Sequence, residues 1–201
     1  MTADAERLLL EARAGDTATL GRLFELYRRY LALLARVQIG QRLQGKVDAS
    51  DVVQETFLEA HRGFARFRGS SEGELLCWLR QILAARLADM LRRYLGTQGR
   101  DVRLEREITE DFDRSSILLD RGLVAPQSSP SQQVARREQC VLLANALGEL
   151  PGDYREVIVL RHLEGLTFSD VAQRMGRSLD SVEKLWMRAL VRLRKLLGDP
   201  E

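Results

Sequence analysis

The sequence predicts an all-α protein, and three features of the chain support this. Apolar residues recur at three- and four-residue spacing over long stretches, which is the period of an amphipathic helix. Glycine and proline are sparse inside those stretches, and runs of β-branched residues are short. We expect two helical domains, 1–98 and 135–201, joined by an acidic, Ser/Pro-containing linker at 99–134, with a helix-turn-helix in the second domain.

In the first domain, helix boundaries are marked by glycines and capping residues. Residues 3–14 form a short helix ending at Gly15, and a second helix begins at Asp16 or Thr17 and breaks at 40–47. Asp48 caps a third helix, with Asp51 completing a capping box. The residues expected to be buried on this third helix are Val52, Val53, Phe57, Leu58 and Phe64.

The other face of this third helix is acidic and amide-rich. It carries Asp51, Gln54, Glu55 and Glu59, spaced about one helical turn apart. Such a face is either solvated or docks a basic partner helix, and its spacing alone leaves both interpretations open.

Ser71 and Glu74 form a capping box that opens a long fourth helix running to residue 95. Its apolar side is built around Trp78 and the leucines that follow. Its polar side carries Arg80, Arg86, Asp89, Arg92 and Arg93. Cations at a helix end suit a phosphate backbone, but they are also favoured there by the helix dipole. Both explanations stay open at this point.

The composition changes after Gly99. Residues 101–115 carry six acidic and three basic residues, and residues 122–133 contain two prolines and several serines without a clear apolar repeat. This composition is typical of a linker. A helix is expected to resume at Ala135 and to end at Leu150, where Pro151 begins the next.

The last two predicted helices have the spacing of a helix-turn-helix. Thr167 and Asp170 form a capping box, and Ala172 precedes Gly176 by four residues, which suits a close crossing with a left-handed turn. Ser178 caps the final helix. Its expected buried residues are Leu179, Val182, Leu185, Trp186, Ala189, Leu190 and Leu193.

The opposite face of the final helix carries Ser181, Lys184 and Arg188. A helix with an apolar back and a basic front can enter a DNA major groove. The competing interpretation is an αα-hairpin with a solvated basic face. The turn, the two short helices and the preceding proline-started helix together favour DNA binding.

Composition limits the remaining classes of function. The net charge is only +2, so binding to nucleic acid depends on local patches rather than on bulk charge. The chain offers no nucleophile–base pair, no metal-ligand set and no phosphate loop, so we predict no enzyme, no catalytic residue, no metal and no cofactor. It has neither a membrane-spanning apolar run nor a signal-peptide core, which predicts a cytoplasmic protein without membrane insertion.

Four segments of the chain belong together: DASDVVQETFLEAHRGFARF (48–67), WLRQILAARLADMLRR (78–93), ALGELPGDYREVIVLRHLEGLTFSDVAQRMGRS (146–178) and VEKLWMRALVRLRKLL (182–197). In combination they resemble the sigma-70 family of RNA polymerase sigma factors, in its small extracytoplasmic-function (ECF) group. The Ser/Pro linker also resembles that of a planctomycete-like lineage. The resemblance implies core RNA polymerase and promoter DNA as partners and allows an anti-sigma factor.

The resemblance also implies roles for individual residues. Domain 1–98 would bind polymerase through Asp51, Gln54, Glu55 and Glu59, and would recognise and open the −10 element through Arg80, Arg86, Asp89, Arg92 and Arg93. Domain 135–201 would bind the −35 element through Arg177, Ser178, Ser181, Glu183, Lys184 and Arg188. The acidic linker would thread near the polymerase active-site cleft and RNA exit channel.

Two positions depart from the family pattern. Many relatives carry asparagine where this chain has Ala85, and an alanine cannot hydrogen-bond a base. Relatives often have a basic residue where this chain has Glu183, a carboxylate that repels phosphate but accepts a hydrogen bond from cytosine. Two alternative functions stay open: a polymerase-independent helix-turn-helix regulator, and an all-α adaptor that sequesters a partner.

Overall fold

The structure, a computed structural model, describes residues 3–43, 47–95, 103–112 and 130–198. All regular secondary structure within these residues is helical, which confirms the all-α prediction. None of the described helices is long and apolar enough to cross a membrane.

Among the described residues up to 95, five helices and one 3-10 turn form the N-terminal part. Asp16 caps the second helix by accepting from the backbone N–H groups of Ala18 and Thr19, and Asp48 caps the fourth by accepting from that of Ser50. The elements are α1 (Ala3–Arg13), α2 (Thr17–Glu25), α3 (Arg28–Leu43), α4 (Ala49–Gly63), the 3-10 turn (Phe64–Arg66) and α5 (Glu72–Leu95). The single second helix expected from the sequence is therefore two, α2 and α3, and the predicted third and fourth helices are α4 and α5.

The core of this part lies where α3, α4 and α5 meet. Val52 and Val53 of α4 are fully buried as predicted, and the Tyr27 hydroxyl donates to the buried Glu72 carboxylate at 3.0 Å. Leu58 was expected to be buried, but 53% of it is exposed. The buried positions of α4 follow the three- and four-residue spacing of one face, and Leu58 falls outside that face.

A helix, α6, occupies residues 103–112, inside the segment expected to be a linker. Ile108 and Phe112 are fully buried and Leu104 packs against the core, so one apolar residue per turn faces inward. The charged residues between them obscure this spacing in the sequence. The rest of the predicted linker up to residue 129 lies outside the described residues, and the boundaries at 98 and 134 stay predictions.

The C-terminal part contains α7 (Pro130–Glu149), α8 (Gly152–Ile158), a π-helical turn (Val159–Leu163), α9 (Phe168–Met175) and α10 (Leu179–Leu197). The first of these begins at residue 130, five residues before the predicted start. Arg155 holds the bend between α7 and α8, because its guanidinium donates to the carbonyls of Leu147, Gly148 and Leu150. Carbonyls in the last turn of a helix lack intrahelical donors, so the arginine acts as a C-cap, together with the Leu150 N–H, which donates to the Leu147 carbonyl at 3.2 Å.

The N- and C-terminal parts pack together through α3, α7 and α8. Arg29 donates to the carbonyl of Asn145 at 3.1 Å and pairs with Glu149 at 3.4 Å. Arg36 forms an ion pair with Glu156. The apolar cores of the two parts are continuous with each other among the described residues.

Candidate nucleic-acid interface

The turn between α9 and α10 has the geometry that the sequence predicted. The Thr167 hydroxyl accepts from the Asp170 backbone N–H, and the Asp170 carboxylate accepts from the Thr167 backbone N–H, each at 3.2 Å. Helix α9 ends at Met175, and the next residue, Gly176, has a left-handed φ of 62°. The N–H of Arg177 then donates to the Ala172 carbonyl at 2.9 Å, which closes the turn.

The back of α10 is anchored in the core. Val182, Ala189 and Leu193 are buried. The Trp186 indole N–H donates to His162 Nε2 at 2.9 Å, and the Phe168 ring meets the Trp186 ring edge-on at 5.3 Å. Further partly buried residues of this face are Leu185, Leu190 and Leu196.

Leu179 was expected on this buried face, but 49% of it is exposed. It is the first residue of α10, directly after the Ser178 cap. At that point the chain has only just left the turn, so the core of the domain does not reach its side chain.

His162 is a neutral acceptor in this arrangement. Its pKa is lowered because burial disfavours the charged ring, and the nearby Arg161 adds to the effect. A protonated imidazole has no lone pair at Nε2, so the bond from Trp186 depends on the neutral form.

The front of α10 is accessible. Glu183, Lys184 and Arg188 are exposed, and Ser181 is half-buried beside its cap Ser178. Lys184 pairs with Asp180 at 2.8 Å, but both side chains are well exposed, at 65% and 73%. Such a pair contributes little energy and can be exchanged for a phosphate or base.

Arg177 lies at the end of this front and is also paired. Its guanidinium contacts the carboxylate of Asp153, at the start of α8. This contact ties the turn to α8 while leaving the side chain partly exposed, at 38%.

The acidic face of α4 is also at the surface. Asp51, Gln54 and Glu55 are exposed, and the Glu59 side chain is 45% exposed with only a 4.0 Å contact to Arg62. The four side chains therefore form one continuous accessible surface along the helix, available to a partner.

The predicted −10 set on α5 is only partly accessible. Arg80 is 5% exposed, and its guanidinium lies over the Phe112 ring at 5.9 Å, so it is an interior residue and not the surface contact expected from the sequence. Arg86 and Arg92 both pair with the carboxylate of Asp89. Of the five, only Arg93 is exposed.

A cleft of about 470 Å³, which the sequence did not predict, lies beside Ala85 between α5 and α6. Trp78 lines it, and the indole stacks on Phe67 with ring centroids 4.9 Å apart. From α6, the cleft is lined by Glu105, Arg106 and Thr109. The signal for this wall was the spacing of Leu104, Ile108 and Phe112, which sets α6 against α5.

Comparison with known proteins identifies two regions of the chain. Residues 26–95 match the family model for sigma-70 region 2, and residues 140–193 match that for sigma-70 region 4. The ECF RNA polymerase sigma factor SigM of Mycobacterium tuberculosis is 30% identical over 97% of this chain and 85% of its own length. The RNA polymerase sigma factor CnrH of Cupriavidus metallidurans is 30% identical over 96% of this chain and 95% of its own.

The similarity extends to a third curated relative and to one solved structure. The ECF RNA polymerase sigma-E factor of Haemophilus influenzae is 28% identical over 92% of this chain and 90% of its own. A structure of CnrH in complex with the cytosolic domain of CnrY covers 98% of this chain and 99% of that chain, at 24% identity and a TM-score of 0.37. The chain belongs to the sigma-70 family of RNA polymerase sigma factors, in its ECF group, and is a transcription initiation factor.

Proposed function

We propose that the protein directs core RNA polymerase to promoters by placing α10 in the major groove of the −35 element while the N-terminal part engages polymerase and the −10 element. The observation that carries this proposal is the front of α10, which is polar, basic and accessible. A buried apolar back and the closed α9–α10 turn hold that front in place. The protein does no chemistry itself, and it acts where polymerase is, in the cytoplasm.

In the major groove, the N-terminal half of α10 would make the sequence-specific contacts. Arg188 and Lys184 supply donors for guanine or phosphate oxygens, and Glu183 supplies an acceptor for the cytosine amino group. Arg177, Ser178 and Ser181 sit at the start of the helix, where side chains and backbone N–H groups can bind phosphate. Recognition is therefore expected to combine phosphate contacts with a small number of base contacts.

The N-terminal part would divide its surface between two partners. The α4 face of Asp51, Gln54, Glu55 and Glu59 suits a basic surface of polymerase. For the −10 element we withdraw Arg80, because its guanidinium is buried and cannot reach DNA. We retain Arg86, Asp89, Arg92 and Arg93.

The segment between the two parts lets two weak contacts act together, because tethering raises the effective concentration of the second. Strand opening would draw on unpaired −10 bases held by the N-terminal part, at about 1–3 kcal/mol for each stacked base. An anti-sigma factor is compatible with these surfaces. The Ser/Pro composition of residues 122–133 is the basis on which we assign the chain to a planctomycete-like lineage.

The decisive experiment combines the purified protein with core polymerase and a library of promoter sequences. Transcription starts that appear only with the protein support the proposal. Specific footprints on duplex DNA without polymerase, together with no new start sites, would favour the regulator. Binding to neither polymerase nor DNA would favour the adaptor.

Variants in α10 test the DNA contact. Lys184→Ala and Arg188→Ala should each weaken −35-dependent initiation. If the lost contact is to a phosphate, the slope of the logarithm of the DNA-binding constant against the logarithm of salt concentration should also fall by about one. Arg194→Ala is the matched control, because it removes the same charge from the last turn of the same helix. Equal effects from all three would show that bulk charge, rather than the front of α10, binds DNA.

A variant in α4 tests the polymerase contact. Asp51→Arg should weaken binding to core polymerase, measured by pull-down or fluorescence anisotropy. Asp4→Arg is the control, because Asp4 and Asp51 both lie in the first turn of their helices and both variants lose the same dipole interaction. Unchanged binding of Asp51→Arg would remove this face from the proposal.

A further inference from the structure

We propose that α6 supplies the base-contacting groups that Ala85 lacks, so that Arg106 and Thr109 complete a pocket for one unpaired base of the −10 strand. The inference rests on the proposed function, because it takes α5 as the helix that meets the −10 strand. It adds a second helix and two new specificity-determining residues to that site.

The cleft of about 470 Å³ lies against Ala85, the position where an amide side chain is absent from this chain. Its volume is within the range of sites that hold small ligands. The small alanine side chain leaves the space open, and the opposite wall is α6, which carries Arg106 and Thr109 into the lining.

The charged side chains that line the cleft balance one another. Two carboxylates, Glu59 and Glu105, and two guanidinium groups, Arg86 and Arg106, line the cleft, so their formal charges cancel. Glu59 is the last residue of the α4 face assigned to polymerase, so the cleft borders that face. A phosphate would therefore gain no net electrostatic attraction there. A neutral group with hydrogen-bonding edges could still pair with the charged side chains. The apolar part of the lining includes the Trp78 indole, and aromatic walls of this kind stack nucleobases.

Thr109 and Arg106 supply the hydrogen-bonding groups of the cleft. The Thr109 hydroxyl donates to the Glu105 carbonyl at 2.9 Å, so its oxygen faces other groups as an acceptor. Arg106 uses its Nε–H to pair with Glu110 at 3.0 Å, and the side chain is 81% exposed. Its terminal N–H groups remain as donors to a base, so the two residues together offer both functions that an asparagine amide offers.

The experiment measures base preference at each −10 position with the complete holoenzyme and a library of randomised −10 elements. Arg106→Ala should reduce discrimination at one position by about tenfold, as expected for one lost arginine–base contact. Arg103→Ala is the matched control. Arg103 also pairs with a glutamate four residues on, at 3.3 Å, but it does not line the cleft. It should leave the preference unchanged.

A second variant separates a base contact from a general loss of folding. Ala85→Asn in the Arg106→Ala background should restore discrimination at the same position, although with a different preferred base. A uniform loss across all −10 sequences, equal effects of Arg106→Ala and Arg103→Ala, or no restoration by Ala85→Asn would overturn the inference. Promoter-specific starts from the wild-type protein in that same assay would leave the proposed function standing, whereas their absence would refute both.

Discussion

The left-handed turn at Gly176 fixes how α10 leaves α9, and its replacement by alanine has a calculable cost. A Cβ added at Gly176 would meet no atom within 4 Å, so the penalty is purely conformational. The left-handed region costs an L-residue about 1–2 kcal/mol. Alanine also reduces the entropy of the unfolded chain, which stabilises the folded state by about 0.4–1 kcal/mol. The net destabilisation is therefore about 1 kcal/mol.

Gly152 provides the matched control for this variant. A Cβ there also meets no atom within 4 Å, but its φ is not positive. Gly152→Ala gains the same unfolded-state term without the strain, so the two variants should differ by about 1–2 kcal/mol in the free energy of unfolding.

Thermal unfolding followed by circular dichroism measures this difference directly. For a chain of this size, each 1 kcal/mol shifts the midpoint by roughly 2–4 °C. The midpoint of Gly176→Ala should therefore lie below that of Gly152→Ala by about 2–8 °C, and Gly176→Asn should fall between them because asparagine tolerates this region better. Equal midpoints for the two alanine variants would refute the argument that the turn requires a left-handed residue.

Three further predictions concern burial and titration. Phe112→Ala should lower the free energy of unfolding by about 3–5 kcal/mol, because α6 packs as part of the core. Leu10→Ala, at a position that is 68% exposed, is the control and should change it little. Near-equal urea midpoints for the two variants would show that residues 103–112 are a linker and not part of the core. The lowered pKa of His162 means that the unfolded chain takes up a proton the folded chain does not, so stability should fall as the pH drops below the ordinary value of 6.5 towards the folded-state pKa. Urea unfolding at about pH 7.5 and about pH 5.5 should show this loss in the wild type and a smaller one in His162→Gln, and equal losses would exclude His162 as its source. Burial raises the pKa of Glu164, so Glu164→Gln should stabilise the protein at neutral pH in the same assay, and destabilisation would contradict that assignment.

Local signals in the sequence were sufficient for the helix-turn-helix. The Thr167–Asp170 box, the left-handed Gly176 and the Ser178 cap each depend on residues within a few positions of one another. Their geometry is therefore encoded by short-range sterics and hydrogen bonds that no distant part of the chain has to supply. The periodic apolar back of α10 followed for the same reason, except at Leu179.

Burial of Arg80 was decided by tertiary structure. A polar position on a helix is exposed only if no other element covers it, and the sequence of α5 does not specify what covers Arg80. Helix α6 does so, because Ile108 and Phe112 need an apolar partner, and the charged residues around them made that need hard to detect.

By itself, the sequence determined the fold class, the caps and turn of the helix-turn-helix, and the residues of the α10 front, since each of these is set by neighbours close along the chain. Only the tertiary structure decided that Arg80 is an interior residue, that α6 forms one wall of the cleft at Ala85, and that Arg29 and Arg36 join the two parts. The physical reason is that burial and charge pairing depend on which distant segment packs against a surface, and helical periodicity carries no information about that partner.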